Sequence, residues 1–201
     1  SRNDNHGKNL LYRMQLFVDG FVQQCKKHDI KSELILVEWN PPHHTLPLSQ
    51  ALQFPKEKGP CTIRIIRVPK EIHDTLEHAD KIPLFQMIGK NVGIRRAKGQ
   101  FVLATNIDIL FSDPLMEYLK KGLKSGRLYR TDRLDVPEQL PEHVPFDEIL
   151  NFCSNNILRI NEKRGTFNPS APSKQSQVYW TKQMLQLMSV GIADFFKSIV
   201  N

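Results

Sequence analysis

The pattern of apolar and polar positions predicts alternating helices and strands along the first half of the chain. Apolar residues recur at helical spacing through residues 10–25, which predicts an amphipathic helix with a broad core-facing stripe. Residues 33–39 and 62–68 are short apolar runs that favour strands. A diproline follows the first run and ends it, because consecutive prolines cannot continue a strand ladder. Residues 43–61 are predicted to be a loop with one helical turn near residues 48–52.

The centre of the chain predicts a helix, a glycine stop and a buried strand. Apolar positions at helical spacing through residues 85–92 favour the helix, and Gly99 supplies its stop. Residues 101–104 are an unbroken apolar run, which is typical of a strand covered on both faces. Asn106 and Asp108 follow directly. Because ligands of open α/β sheets bind beyond the carboxyl ends of strands, these two residues are the first candidates for a functional site.

The order of the predicted elements indicates the class of fold. Residues 114–123 predict a short helix that begins with a proline, and residues 126–133 predict a further strand. The alternation of helices and strands favours a mostly parallel sheet with helices on both faces. It also predicts a strand before Ser1, because a helix followed by a central strand normally completes a strand–helix–strand unit.

The last third of the chain has a different composition. Residues 135–178 are rich in Pro, Asn and Ser, which predicts an irregular segment with one helix near residues 146–160. Helical periodicity returns over residues 180–199, where a core helix is favoured and a membrane-surface or partner-binding helix is the alternative. We therefore predict a domain over residues 1–164, followed by a linker and an amphipathic helix over residues 165–201.

The positive charge of the chain is concentrated around its centre. The formal net charge is +7, and residues 81–133 hold 11 Lys and Arg against 4 Asp and Glu. A basic patch of this kind suits a polyanion, namely a nucleotide diphosphate, a nucleic acid or an acidic membrane surface. Solvated surface lysines are the alternative reading for Lys120, Lys121 and Lys124.

The cysteines and the hydropathy limit the location of the protein. Cys25, Cys61 and Cys153 are far apart and form no CxxC pair, which argues against a disulfide framework and against a zinc site. A reducing compartment fits this usage, so we expect a cytoplasmic location. No apolar run approaches the ~18 residues that a membrane span needs.

Acidic residues stand at the ends of two predicted strands. Glu38 lies at the end of the first strand, and Asp108 follows the central one with Asn106 beside it. A hard cation such as Mg²⁺ or Mn²⁺ takes one or two carboxylates together with phosphate oxygens. Asn91 and Arg95 share a helix face, where a guanidinium can form a bidentate pair with phosphate, through two parallel hydrogen bonds. Turn formation is the alternative for Asn106 and Asp108, and a solvated carboxylate is the alternative for Glu38.

Three segments together resemble the family-two inverting glycosyltransferases. Residues 91–108, NVGIRRAKGQFVLATNID, resemble a stretch of that family with the pattern N-x-G-x-x-x-A-x-G that ends in D-x-D. Residues 34–40, LILVEWN, resemble the second strand, which ends in an acidic residue that contacts the nucleotide. Residues 1–4 resemble the turn after the first strand, which also touches the nucleotide. More narrowly, the chain to about residue 164 is similar to a group of bacterial and fungal glycosyltransferase-like proteins.

This resemblance implies a fold, a donor and a set of binding residues. The fold would be the glycosyltransferase A-type sandwich, which is Rossmann-like with a mostly parallel sheet, here truncated at both ends. The full-length parent would transfer a sugar from a nucleotide-diphosphate donor, such as a UDP-sugar, to an acceptor hydroxyl with inversion, with Mn²⁺ or Mg²⁺ as cofactor. The resemblance implies nucleotide contacts by Arg2, Asn3, Asp4, Glu38, Asn91, Arg95 and Arg96, and metal ligation by Asp108 and Asn106.

The chain departs from the family pattern at two places. Asn106 stands where the family has an acidic residue, which removes one of two carboxylates. The later general base of the family, its Gly-Asp-Phe-like segment and its distal histidines do not appear after Arg164, so no catalytic residue is assigned. We therefore expect this chain to bind donor without transferring sugar. The alternatives are a non-catalytic nucleotide-binding or interaction module and a basic nucleic-acid-binding domain; the latter lacks an aromatic stacking platform, so no nucleic-acid partner is expected.

Overall fold

The computed structural model describes residues 1–169 of the chain. Two compact units are present, Ser1–Phe111 and Ser112–Asn201, and the second is described as far as residue 169. Both units contain helices and strands, so the protein is of the mixed α/β class. The amphipathic helix predicted over residues 180–199 lies outside the described residues.

The first unit is built on two parallel strands that pair over their whole length. Their register runs from Ser32 opposite Cys61 to Trp39 opposite Val68. This confirms both strands that the apolar runs predicted. The helices that begin at Leu10 and Gln86 fall where helical spacing placed them, a helical turn lies near residues 48–52 as expected, and the short helix at Lys70–His73 was not predicted. The elements are α1 (Leu10–His28), β1 (Ser32–Trp39), α2 (Leu48–Ala51), β2 (Cys61–Val68), α3 (Lys70–His73) and α4 (Gln86–Arg96).

Helix α4 packs on β1 through two glycines. A Cβ added at Gly93 would lie 3.2 Å from Val37 Cγ2, and one added at Gly89 would lie 3.6 Å from the Trp39 ring. The missing side chains therefore let the helix backbone approach the sheet closely. The backbone N–H of Lys98, just beyond the helix, donates to the Glu33 carboxylate at 3.1 Å. Since α4 meets Trp39 with its first half and Glu33 at its end, it runs antiparallel to β1.

The core of the first unit is formed by α1 and the sheet. Residues of β1 alternate in burial, and Leu34 and Leu36 lie on the buried side. Helix α1 contributes Met14, Val18 and Val22, each almost fully buried. This arrangement follows from the wide apolar stripe of α1, which removes apolar surface from water along its whole length.

The central apolar run does not form the buried strand that its composition predicted. Residues 101–104 have no strand assignment, and Phe101, Val102 and Leu103 are 37%, 48% and 49% exposed. A strand needs a neighbouring strand to satisfy its N–H and C=O groups. Within residues 1–169, β1 and β2 pair with each other and no strand pairs with this run. The prediction of a strand covered on both faces is therefore wrong for the described chain.

The second unit has a small antiparallel sheet. Its elements are α5 (Asp113–Lys120), β3 (Arg133–Asp135), α6 (Phe146–Asn155), β4 (Arg159–Glu162) and β5 (Gly165–Phe167). The strands are in the order β3-β4-β5 and are antiparallel throughout. The expected parallel pairing therefore holds for the first unit alone. The predicted domain boundary at residue 164 falls in the turn between β4 and β5.

Two element predictions in the second unit require correction. The strand predicted over residues 126–133 is wrong, since β3 begins only at Arg133. Gly126 instead has a positive φ of 73°, and the Tyr129 hydroxyl accepts a hydrogen bond from the Lys124 backbone N–H at 2.8 Å, which closes a loop there. The helix predicted near residues 146–160 begins as expected and ends at Asn155. It ends there because the following residues pair with β3 as β4.

Among the described residues, no helix has the length and apolarity to cross a membrane.

Candidate functional site

An open pocket of about 600 Å³ lies at the carboxyl ends of β1 and β2. Asn40 follows β1 directly, and Lys70 begins α3 just after β2. Since the carboxyl ends of parallel strands meet at one edge of the sheet, residues from both strands reach the same pocket. Its polar lining consists of Arg2, Asn40, Lys70, Asp74, His78 and Asp80, with buried His73 among the remaining residues.

Residues 1–4 are held beside this pocket by hydrogen bonds to the sheet and the loops. The Ser1 nitrogen donates to Val37 O at 2.7 Å, and the Trp39 N–H donates to Ser1 O at 2.8 Å. These two bonds tie the chain to the end of β1. Asn3 Nδ2 then donates to Leu46 O at 2.9 Å. The turn that the resemblance implied as a nucleotide contact thus lies next to the pocket, and its Asn3 side chain binds a protein carbonyl.

Arg2 is the residue of this turn that enters the pocket wall. Its Nη1 donates to Pro83 O at 2.7 Å. Its Nε lies 3.2 Å from the Asp4 carboxylate, which is an ion-pair distance without hydrogen-bond alignment. Asp4 also accepts a hydrogen bond from the His6 N–H. The guanidinium is therefore fixed in position, which lowers the entropy that it loses when it binds an anion.

Two buried aromatic residues support the pocket from beneath. Trp39 Nε1 donates to His73 Nδ1 at 2.9 Å. His73 Nδ1 is therefore an acceptor, so Nε2 carries the proton of the neutral ring and donates to Ala79 O at 3.0 Å. Both nitrogens of the imidazole are thus engaged in the fold. His73 positions the loop that lines the pocket.

Glu38 does not face the pocket. Its side chain is 1% exposed, and Oε1 accepts a hydrogen bond from the Leu48 backbone N–H at 2.7 Å. Leu48 is the first residue of α2, where a helix leaves its N–H groups without intrahelical partners. The carboxylate therefore provides a hydrogen-bond acceptor for a free N–H group at the start of α2. The structure does not bring it together with Arg2 as a nucleotide contact.

Asn91, Arg95 and Arg96 are exposed residues of α4, and Asn91 and Arg95 lie on its solvent side. The opposite side of the helix, with Gly89 and Gly93, faces the sheet, and Arg96 ends the helix on that side. Because α4 is antiparallel to β1, its last turn lies at the amino ends of the strands. The Arg96 carbonyl accordingly accepts a hydrogen bond from the Arg64 side chain, which also pairs with Glu33. Arg95 and Arg96 are thus at the opposite edge of the sheet from the pocket.

Asn106 and Asp108 face cationic side chains. Asn106 Oδ1 accepts hydrogen bonds from Lys90 Nζ at 2.9 Å and from Gln86 Nε2 at 3.2 Å. Asp108 Oδ2 accepts from Arg13 Nη1 at 2.8 Å. Within residues 1–169, no group of three or more His, Cys, Asp and Glu side chains is placed to hold a metal ion.

This arrangement does not fit a divalent cation. A cation at the amide oxygen would meet the Lys90 ammonium, and one at the carboxylate would meet the Arg13 guanidinium. Hard cations need several oxygen donors, and like charges nearby oppose their binding. The metal implied by the resemblance therefore has no support from the donors around these two residues.

Of the polar residues that line the pocket, sequence reasoning nominated Arg2 and missed Asn40, Lys70, Asp74, His78 and Asp80. Glu38 and Asp108 were nominated because they lie at the carboxyl end of a predicted strand or just beyond it. The same rule, applied to the end of β2 at Val68, points to the segment that begins with Lys70.

Comparison of the chain with models of protein families, with curated proteins and with solved structures finds no match in any of the three. The likeness to glycosyltransferases therefore rests on the sequence resemblance described above, without support from these comparisons.

Proposed function

We propose that the first unit binds the nucleotide part of a nucleotide-diphosphate sugar in the pocket at the carboxyl ends of β1 and β2. One observation carries this proposal: a polar pocket of about 600 Å³ lies where ligands of parallel α/β sheets bind. That volume is within the range of small-molecule sites, roughly 300–1,000 Å³. The resemblance of residues 34–40 and 91–108 to glycosyltransferases supports the same ligand.

The charges of the pocket suit a phosphorylated nucleoside. Arg2 and Lys70 bring positive charge to the lining, and each can donate to phosphate oxygens. Asp74 and Asp80 offer carboxylate oxygens that accept from ribose hydroxyls or a base N–H. Lys70 now pairs with Asp74 through two contacts of 2.6 Å on the exposed surface. An exposed pair of this kind contributes little to stability, so phosphate can replace the carboxylate on Lys70 at small cost.

The fold and parent activity we propose are those of the resemblance. Helix α4 lies antiparallel on β1, as the helix of a strand–helix–strand unit does, which supports a Rossmann-like sheet of the glycosyltransferase A type. The parent would transfer the sugar with inversion to an acceptor hydroxyl. Arg2 and Lys70, which line the pocket, would offset negative charge on the diphosphate.

A non-catalytic nucleotide-binding module is the second candidate. The specific observation in its favour is the ion pair between Asp108 and Arg13, which occupies the one carboxylate of residues 91–108. Donor binding is common to both candidates, and sugar transfer is expected of the full-length parent under the first candidate alone. Steady transfer to an added acceptor by the 201-residue chain would show that the catalytic base lies within it and would exclude the non-catalytic module.

The test is a calorimetric titration of the full chain with UDP and UDP-sugars. Lys70→Gln removes a pocket cation and only an exposed ion pair, so we expect UDP affinity to fall about tenfold with the fold intact. Lys124→Gln is the matched control, because it removes an exposed lysine of the second unit. Equal affinity in wild type and Lys70→Gln, or an equal loss in both variants, would contradict the proposal. A single-stranded oligonucleotide that binds with a steep salt dependence while UDP does not would favour nucleic-acid binding instead.

A further inference from the structure

The outward side of α4, which faces away from the sheet, carries exposed apolar residues. Gly89 and Gly93 face the sheet. Helical spacing places Met87, Ile88 and Ile94 away from it, and these residues are 70%, 39% and 41% exposed. The outward side of a surface helix normally carries charged and polar residues, because water solvates them there. Three apolar residues together on this side indicate a surface that is covered when the protein functions.

Positive charge accompanies these apolar residues. Arg95 lies on the outward side of α4, Lys98 follows the helix, and both are exposed. Residues 81–107 contain five Lys and Arg and no Asp or Glu. The nearby Glu33 carboxylate, which accepts the Lys98 N–H, is paired with Arg64 at 2.9 Å. The C-terminal end of α4 therefore carries a net positive charge.

This combination of side chains suits the surface of an anionic lipid membrane. In a helix that lies on a membrane, the apolar side chains enter the boundary between the headgroups and the acyl chains. Lys and Arg beside them attract anionic headgroups. The interaction of cations with the helix dipole explains basic residues in the last turn of α4, but it gives no reason for Met87 and Ile94 to be exposed.

A second copy of the chain and a nucleic acid suit the outward side of α4 less well. In a two-fold interface the same surface of each copy meets the other, so Arg95 would approach the cations of the other copy. Residues 81–107 supply no carboxylate to pair with them. Nucleic-acid binders stack bases on exposed aromatic rings, and α4 contains no aromatic residue.

We propose that the outward side of α4 binds the surface of an anionic phospholipid membrane, with Met87 and Ile94 inserted among the headgroups and Arg95 paired with lipid phosphate. These three residues do not line the pocket at the carboxyl ends of β1 and β2. Membrane binding is therefore independent of nucleotide binding, and each can be tested without the other.

The test is cosedimentation of the 201-residue chain with two kinds of vesicle, phosphatidylcholine alone and phosphatidylcholine mixed with phosphatidylserine. We expect binding to the anionic vesicles that weakens as salt is added, and little binding to the neutral ones. Met87→Gln combined with Ile94→Gln should weaken binding to the anionic vesicles by about tenfold, because two apolar side chains are lost from the lipid. Arg95→Gln should weaken it by about fivefold, because one charge is removed.

Matched controls come from the second unit. Leu128→Gln removes a leucine that is 56% exposed, and Lys124→Gln removes an exposed lysine. Both variants should bind the anionic vesicles as the wild type does. Urea denaturation checks the fold of every variant. We expect no change in the unfolding midpoint, because each substituted side chain is exposed and surface substitutions have little effect on stability.

Three results would overturn the proposal. The first is equal binding to neutral and anionic vesicles, or binding to neither. The second is an equal loss of binding in the α4 variants and in the controls. The third is self-association without vesicles, measured by analytical ultracentrifugation, that disappears in the variant with Met87→Gln and Ile94→Gln, since a second copy would then cover the outward side of α4.

Discussion

Substitution of Glu38 tests whether a carboxylate predicted at the end of a strand binds the ligand or stabilises the fold. The resemblance implies a nucleotide contact for this carboxylate. In the structure it is 1% exposed and accepts the Leu48 N–H at 2.7 Å. Glu38→Gln keeps the shape of the side chain and one acceptor oxygen while removing the charge. Glu38→Ala removes the acceptor altogether.

The expected losses of stability follow from the hydrogen bond. A bond to a charged acceptor contributes about 1.5–3 kcal/mol and a neutral bond about 0.5–1.5 kcal/mol. Glu38→Gln should therefore lower the free energy of unfolding by about 1 kcal/mol. Glu38→Ala leaves the Leu48 N–H buried without its partner and opens space in the core, so its loss should be about 3 kcal/mol.

Urea denaturation followed by circular dichroism measures both losses, and calorimetric titration with UDP measures binding. We expect the UDP affinity of Glu38→Gln to stay within about twofold of wild type, because the carboxylate does not reach the pocket. Lys70→Gln is the matched opposite, with weaker UDP binding and little change in stability. The reasoning is refuted if Glu38→Gln binds UDP about tenfold more weakly and unfolds at the same urea concentration as wild type.

Two further predictions concern the metal and the amino terminus. The oxygens of Asn106 and Asp108 face Lys90 and Arg13, so we expect Mn²⁺ and a chelator to give UDP affinities within about threefold of each other. Tightening by Mn²⁺ of about tenfold that disappears in Asp108→Asn would establish the metal that the resemblance implies. Burial lowers the pKa of the Ser1 amino group from 8.0 to about 6, so the unfolded chain binds more protons between these values. The free energy of unfolding should therefore fall as the pH drops from 8 to 6. The total loss from this group is roughly 2–3 kcal/mol, complete below pH 6. Urea unfolding at pH 6 and pH 8 measures the change, and a chain acetylated at Ser1 should lose this component; the same pH dependence after acetylation would rule out the assignment.

Local pattern was sufficient wherever an element depends on its own residues. The apolar stripe of α1, the runs that became β1 and β2, and the proline in the first turn of α5 each carry their signal within a few residues. The position of the pocket was also predictable in outline, because the edge of a parallel sheet follows from the strand order. The residues that line it after β2 were within reach of the same rule.

Which of the candidate residues lie close together was decided by the tertiary structure alone. Residues 101–104 have the composition of a strand, yet a strand exists only where another backbone satisfies its amides, and none of the described residues does so. Glu38 stands at the end of an apolar strand, and only the fold of the following loop brings the Leu48 N–H onto its carboxylate. Arg95 lies in the same sequence segment, residues 91–108, as Asn106 and Asp108, but the antiparallel course of α4 places it at the amino ends of the strands. Hydrogen-bond partners and helix direction are properties of the assembled chain, because each is set by residues distant in sequence. They leave Arg2 at the pocket and keep Glu38 and Arg95 away from it.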